Sequence, residues 1–175
     1  ELDRLGRDEA EMLLTEYSPY TAAEYQKDGP VEKAEAAMTF FNALPGFLEC
    51  TDLSFVNWAQ YIDPGFFVGD KLGLIDRDSG ARKALFNAFK LYGMMPSDRR
   101  RMSVSGSNVK GLASASPDCM TTVLWNTSTN EQPLSIKLDS IPFGSGTLEV
   151  YHIDEEHNSW YETKNGQLTK RRSAH

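Results

Sequence analysis

A carboxylate beside an aromatic residue is the feature of this sequence that could do chemistry. Glu16 follows a short apolar run, residues 12–14, and precedes Tyr17. The compact, uncharged run predicts a buried strand, and functional residues gather at the carboxyl ends of strands in parallel α/β folds. An acidic residue in that position is a candidate nucleophile or general base. The alternative is an ordinary solvated carboxylate at the start of a loop.

The elements around Glu16 are predicted to alternate between strands and helices. Residues 53–58, rich in β-favouring side chains, predict a second strand that ends in Trp58. Apolar residues at helical spacing predict helices over residues 30–44 and 81–92, and Pro45-Gly46 is expected to end the first. This order is typical of a parallel α/β fold.

The second half of the sequence has a different pattern of apolar and turn-forming residues. A polar, basic connector occupies residues 97–101, and short runs separated by turn residues follow it. Strands are predicted over residues 109–115, 121–126, 134–138, 147–153 and 159–162. Several short strands at this spacing predict an antiparallel β-sandwich. The chain therefore divides into residues 1–96 and residues 97–175.

Composition limits the partners that this chain is expected to have. With 40% hydrophobic residues in 175 it can build a core, and its net charge of −7 argues against nucleic acid or an anionic membrane as main partner. No apolar run has the length of a membrane span, and no targeting segment is recognisable, which leaves cytoplasmic and secreted locations open. Cys50 and Cys119 fit neither a disulfide framework nor a metal motif, so no metal or cofactor is predicted.

Taken together, these segments resemble clan A glycoside hydrolases. Leu-Leu-Thr-Glu-Tyr, residues 13–17, is similar to the seventh strand of that clan, which ends in the nucleophile glutamate. Trp58 matches the tryptophan that these enzymes carry on the eighth strand beneath the sugar, and residues 73–90 look like the closing turn and last barrel helix. With the continuation that ends in Val-Tyr-His-Ile-Asp-Glu-Glu-His-Asn, the resemblance is closest to glycoside hydrolase family 39, the β-xylosidase family.

The resemblance implies a fold and an activity. The fold is the last two βα units of a TIM (β/α)8 barrel followed by an antiparallel β-sandwich, and Glu16 and Trp58 then lie side by side at one end of neighbouring parallel strands. The activity is that of the C-terminal part of a retaining glycosidase that cleaves β-glycosidic bonds, β-xylosidic bonds among them. Glu16 is the implied nucleophile and Trp58 the platform for the sugar. The other implied substrate contacts are Tyr17, Gln60, Tyr61 and Asp63.

The sequence departs from the family in two ways. Xylosidases carry an acidic pair in the loop after the tryptophan, whereas residues 59–65 read Ala-Gln-Tyr-Ile-Asp-Pro-Gly, which argues against xyloside specificity. The family's acid/base glutamate lies on the fourth strand, for which this chain has no counterpart. The chain alone is therefore expected to be inactive. It is also expected to need the upstream barrel portion, in the same polypeptide or a separate chain, or to self-associate.

Two other function classes remain open from the sequence. The first is a carbohydrate-binding or structural β-sandwich module with a non-catalytic barrel remnant, in which exposed aromatics such as Trp125, Tyr151, Trp160 and Tyr161 bind the sugar. The second is a barrel-derived interaction protein that has lost catalysis. Residues 154–157, Asp-Glu-Glu-His, have side chains that can bind a metal ion. Because all four lie in one loop without apolar residues behind them, the sequence predicts a solvated turn and not a closed metal site.

Overall fold

A computed structural model describes residues 4, 6, 10–65, 71–106, 108–141 and 143–174. Part of the loop predicted after Trp58, residues 66–70, lies outside the described residues. In the described part, no helix is long and apolar enough to cross a membrane. The elements are β1 (Met12–Tyr17), a 3-10 turn (Pro30–Glu32), α1 (Glu35–Glu49), β2 (Leu53–Trp58), α2 (Ala84–Gly93), β3 (Arg99–Arg100), β4 (Val109–Ala115), β5 (Met120–Asn126), β6 (Leu148–Val150), α3 (Trp160–Thr163) and β7 (Arg172–Ala174).

The first half contains a β-α-β unit. Strands β1 and β2 pair in parallel, and α1 connects them. The expectation that Pro45-Gly46 ends the first helix is wrong, because α1 continues to Glu49. Proline inside a helix removes one backbone hydrogen bond. Burial of Phe40, Phe41 and Leu44 just before it, and contact of Phe47 with Tyr17 just after it, offset that loss.

The predicted combination of barrel units and a β-sandwich is wrong. The described strands form separate sheets of two, three and two strands, in the orders β1-β2, β3-β4-β5 and β6-β7. A barrel closes only when every strand has two neighbours, and β1 and β2 have only each other among the described residues. A sandwich needs two sheets packed face to face.

Two of the predicted sandwich strands do not form, and each has a physical reason. Residues 134–138 alternate apolar and polar side chains, but Leu134, Ile136 and Leu138 are exposed and no strand is assigned there. Alternation alone does not make a strand when no partner strand pairs with it. Residues 159–162 fall largely in the helical turn α3, which begins at Trp160. In the described residues, the second half therefore forms two small separate sheets, of three and two strands, and no sandwich.

One apolar cluster connects the helices with the three-stranded sheet. Trp125 on β5 stacks on Phe41 of α1 at a centroid distance of 5.9 Å, and the same cluster includes Trp58 and Leu85. Asn87 of α2 donates a hydrogen bond of 2.8 Å to the carbonyl of Asn158. Contacts thus cross residue 97, where the sequence predicts the domain division. That division remains a prediction.

Candidate active site

The carboxyl ends of β1 and β2 lie side by side, as the sequence predicts. Tyr17 pairs with Trp58, and the backbone N–H of Ala59 donates to the carbonyl of Tyr17 at 3.1 Å. The parallel direction places Glu16 and Trp58 at the same end of the pair. The predicted adjacency of these two strand ends is confirmed.

A bulge in β1 surrounds Glu16. Leu14 pairs with Val56 and Tyr17 pairs with Trp58, so three steps along β1 match two along β2. Bulges re-aim side chains and are common next to active sites. The side chain of Glu16 is exposed, and among the described residues it makes no hydrogen bond or ion pair. The bulge therefore presents an unpartnered carboxylate at the strand end.

Trp58 lies in the core and is not an exposed platform. Its side chain is 7% exposed, and its Nε1 donates to the carbonyl of Leu72 at 3.0 Å. The indole packs edge-on against Tyr17 at 6.0 Å and Phe89 at 6.1 Å. In this arrangement Trp58 anchors the loop that follows β2 and supports the strand ends from the helical side.

The ring of Tyr17 also packs between the strand end and α1. Its ring meets Phe47 of α1 edge-on at 4.7 Å, and burial raises the pKa of its hydroxyl above the ordinary value. The phenol therefore stays protonated at neutral pH. Tyr17 can fix the position of the residue before it, Glu16, through the packing of its own ring.

Gln60 and Tyr61 continue the chain beyond β2 and are exposed. Tyr61 is 61% exposed, while its carbonyl accepts backbone hydrogen bonds from Leu74 and Ile75 at 3.1 and 3.0 Å. Tyr61 borders an open groove of about 500 Å³. The other residues that line this groove are Leu74, Arg82, Phe86, Phe89 and Lys90.

A buried ion pair fixes the loop between β2 and α2. Asp63 and Lys83 are each 1% exposed, and Lys83 Nζ lies 2.6 Å from Asp63 Oδ1 and 2.6 Å from the carbonyl of Lys71. Burial raises the pKa of Asp63 and lowers the pKa of Lys83, against the effect of their pairing. Asp63, expected from the resemblance to contact substrate, instead accepts from the Gly73 backbone and holds the loop.

A second carboxylate extends this network. Asp76 accepts hydrogen bonds from the backbone and hydroxyl of Ser79 and pairs with Lys71 at 2.9 Å. Burial acts to raise its pKa, but the contacts with Ser79 and Lys71 outweigh burial and lower it to about 2. The same carboxylates raise the pKa of Lys71 above its ordinary value, although burial opposes them. Sequence reasoning missed this network, because its only signal is that two lysines bracket the acidic turn.

The buried carboxylates of Glu32, Asp63 and Asp76 are close enough to one another for a metal ion. Lysine ammonium groups already supply the positive charge there, since Lys83 Nζ lies 4.0 Å from Glu32 and Lys71 contacts Asp76. A divalent ion would have to displace both lysines. This network fits a structural role and not a metal site.

The aromatic residues of the alternative binding module do not form one exposed surface. Trp125 is 6% exposed against Phe41 and is closed to a ligand. Trp160 and Tyr161 are half-buried, with Lys164 Nζ 5.8 and 5.3 Å from their ring centroids. The hydroxyl of Tyr151 donates to Glu149 at 3.0 Å. Of these four aromatic residues, Trp160 and Tyr161 are therefore the two that could still contact a sugar.

Comparison with known proteins yields no relative. No family model, no curated protein and no solved structure matches this chain. The resemblance to glycoside hydrolase family 39 therefore stays a prediction made from the residues themselves.

Proposed function

We propose that this chain supplies the nucleophile of a retaining glycoside hydrolase that cleaves β-glycosidic bonds, with Glu16 as that nucleophile. The observation that carries the proposal is the bulge at the carboxyl end of β1, which presents Glu16 as an exposed carboxylate without a partner among the described residues. A structural carboxylate would be expected to accept hydrogen bonds, as Asp63 and Asp76 do in the adjoining loop.

The proposed chemistry has two steps. Glu16 attacks the anomeric carbon while a second carboxyl group protonates the departing oxygen, so that one C–O bond forms as the other breaks. The second group then takes a proton from water, which attacks the same carbon and releases Glu16. A retaining site needs the two carboxyl groups about 5–5.5 Å apart. Glu16 must be ionised to attack.

The other residues of the proposed site fall into exposed contacts and packed residues. Gln60 and Tyr61 follow directly from the strand end beside Glu16, and both are exposed, so they are the contacts that a sugar would meet. Tyr17 and Trp58 act through packing, because their rings contact each other and α1 or α2. They are positioning residues in this proposal, and Tyr61 provides the aromatic surface.

In this proposal the acid/base carboxyl comes from outside the described residues, as the family resemblance implies. The proposal places that group on a segment that meets the ends of β1 and β2, in the same polypeptide or in a second chain. It follows that the isolated chain does not turn over glycosides.

Substitution of Glu16 tests the proposal in the complete protein. Glu16→Gln keeps the size of the side chain and removes its charge, so turnover of aryl β-glycosides should fall by at least about a thousandfold. Glu11→Gln is the matched control, because Glu11 is exposed and adjoins the same strand. It should retain activity within about twofold.

The alternative of a sugar-binding module gives a different result. There, Glu16→Gln leaves oligosaccharide binding unchanged, no turnover occurs in any variant, and Trp160→Ala together with Tyr161→Ala abolishes binding. That combination of results contradicts the glycosidase proposal. Turnover by Glu16→Gln within about tenfold of the parent protein contradicts it as well.

A further inference from the structure

We infer that His152, Asp154 and His157 form a binding site for a divalent transition-metal ion such as Zn²⁺. The side chains lie beyond β6, in the turn that leads to α3, and each offers one ligand atom within 4.8 Å of those of the other two. Two imidazoles and one carboxylate are donors that zinc and its neighbours in the first transition row accept. The site is separate from Glu16 and does not depend on the proposed glycosidase function.

The donor atoms converge to nearly the separation that a metal requires. His152 Nδ1 lies 3.6 Å from Asp154 Oδ2, and His157 Nδ1 lies 2.7 Å from Asp154 Oδ1. Donors about 2.1 Å from a tetrahedral ion are about 3.4 Å from each other. The 2.7 Å contact is a hydrogen bond between His157 and Asp154, which a bound ion would replace.

Hydrogen bonds hold the backbone of this turn, and Asp154 Oδ1 accepts one of them from the N–H of Glu156 at 2.9 Å. Asp154 and His157 exchange backbone hydrogen bonds of 3.1 and 3.3 Å, which close a tight turn. Asn158, 4% exposed and at φ 56°, donates to the carbonyls of His152 at 2.6 Å and Thr169 at 3.1 Å. Its Oδ1 accepts from the Thr169 backbone at 2.7 Å. The site is thus preorganised by an asparagine that is not itself a ligand.

The guanidinium of Arg171 lies against both imidazoles. Its Nη1 lies 3.3 Å from His152 Nδ1 and 3.3 Å from His157 Nε2. A guanidinium only donates hydrogen bonds, so Arg171 occupies space that a metal ion would take, as the lysines do beside Asp63 and Asp76. Arg171 is exposed and can swing away. Its charge opposes a metal ion in the same place, so Arg171 sets the affinity of the site.

A metal held here would tie this turn to the nearby β6-β7 pair through His152. The expected consequence is a more stable C-terminal segment.

Titration of the complete protein with ZnCl₂ and CoCl₂ tests this site. We expect micromolar affinity by calorimetry and visible Co²⁺ absorption bands that Zn²⁺ abolishes. Asp154→Asn and His157→Gln should each weaken binding at least about tenfold. Arg171→Gln should strengthen it about tenfold, because it removes the competing charge. Cys50 and Cys119 are replaced by serine throughout, so that thiols do not contribute.

The controls separate a built site from non-specific attraction. Glu156→Gln removes the same charge from the same turn as Asp154→Asn, and its side chain is outside the cluster, so it should bind as the parent does. His175→Gln should also bind unchanged. Thermal midpoints without metal show which variants fold.

Three results would overturn the inference. The first is binding weaker than millimolar in both the parent protein and Arg171→Gln. The second is equal loss of binding in Asp154→Asn and Glu156→Gln, which indicates a diffuse acidic surface. The third is binding that depends on His175.

Discussion

At the residue scale, the carboxylates of this chain fall into two kinds that sequence alone does not separate. Asp63 and Asp76 are buried and paired with lysines, whereas Glu16 is exposed and has no partner in the described part of the chain. All three follow or border apolar segments in the sequence. Whether a carboxylate is paired depends on whether the fold brings a lysine that is distant in the sequence next to it. The Asp63–Lys83 pair spans twenty residues. Pairing of that kind has no periodic signal.

Removal of one partner from the buried ion pair should be costly. Lys83→Met leaves Asp63 buried without its cation and should lower the free energy of unfolding by about 3–5 kcal/mol. Urea denaturation of the parent and the variant measures this difference. Lys90→Met, an exposed lysine of α2, is the control and should change stability by less than about 0.5 kcal/mol. A loss below about 1 kcal/mol for Lys83→Met would contradict a buried, paired lysine.

The pH dependence of stability should report Asp76. Its pKa falls from the ordinary 3.8 to about 2 in the folded protein, so its ionised form stabilises the fold above about pH 4. That contribution is lost as the pH falls through about 2. Asp76→Asn should therefore cost about 1–2 kcal/mol at pH 7 and lose part of the acid sensitivity between pH 4 and pH 2. Parent and variant unfolding curves that stay parallel across this window would contradict the assignment.

At the element scale, local patterns predict elements well where neighbours in sequence decide them. Strand β2 begins and ends at the predicted residues, and β4 does as well. The failures are non-local. Residues 134–138 alternate as a strand does but meet no partner, and α1 passes through Pro45 because its packing outweighs a local stop signal.

The contact between α1 and β5 is the clearest long-range packing that the sequence does not predict. Phe41→Ala removes the ring that stacks on Trp125 and should cost about 3–5 kcal/mol by urea denaturation. The matched control is Phe55→Ala, because Phe55 is 54% exposed and its loss should cost less than about 1 kcal/mol. Equal effects of the two substitutions would show that α1 does not pack on β5.

At the scale of the whole molecule, apolar surface is left open on the first sheet. Met12, Leu13 and Phe55 are between 44% and 54% exposed on the two-stranded β1-β2 pair. Two strands alone are marginal in water. The expectation that this chain needs a further part of the protein, or a second copy, has its physical basis here.

Sedimentation of the 175-residue chain measures that tendency directly. At micromolar concentration we expect association that increases with concentration, and Leu13→Ser with Phe55→Ser should reduce it by removing exposed apolar area. Lys137→Ser with Asp139→Ser, two exposed positions of an ion pair outside that sheet, is the control. A monomer over the whole concentration range would show that the open sheet needs no cover.

Covalent trapping of the nucleophile tests the central claim most directly. A 2-deoxy-2-fluoro-β-glycosyl fluoride slows release of the intermediate, so the complete protein should gain the mass of one fluorosugar. Peptide mapping should place that mass on Glu16, with no label in Glu16→Gln and full label in Glu11→Gln. Xylose, glucose and galactose derivatives together cover the sugars that a β-glycosidase of this kind would accept. A label on any other residue, or equal labelling of Glu16→Gln, would contradict the assignment of Glu16 as the nucleophile.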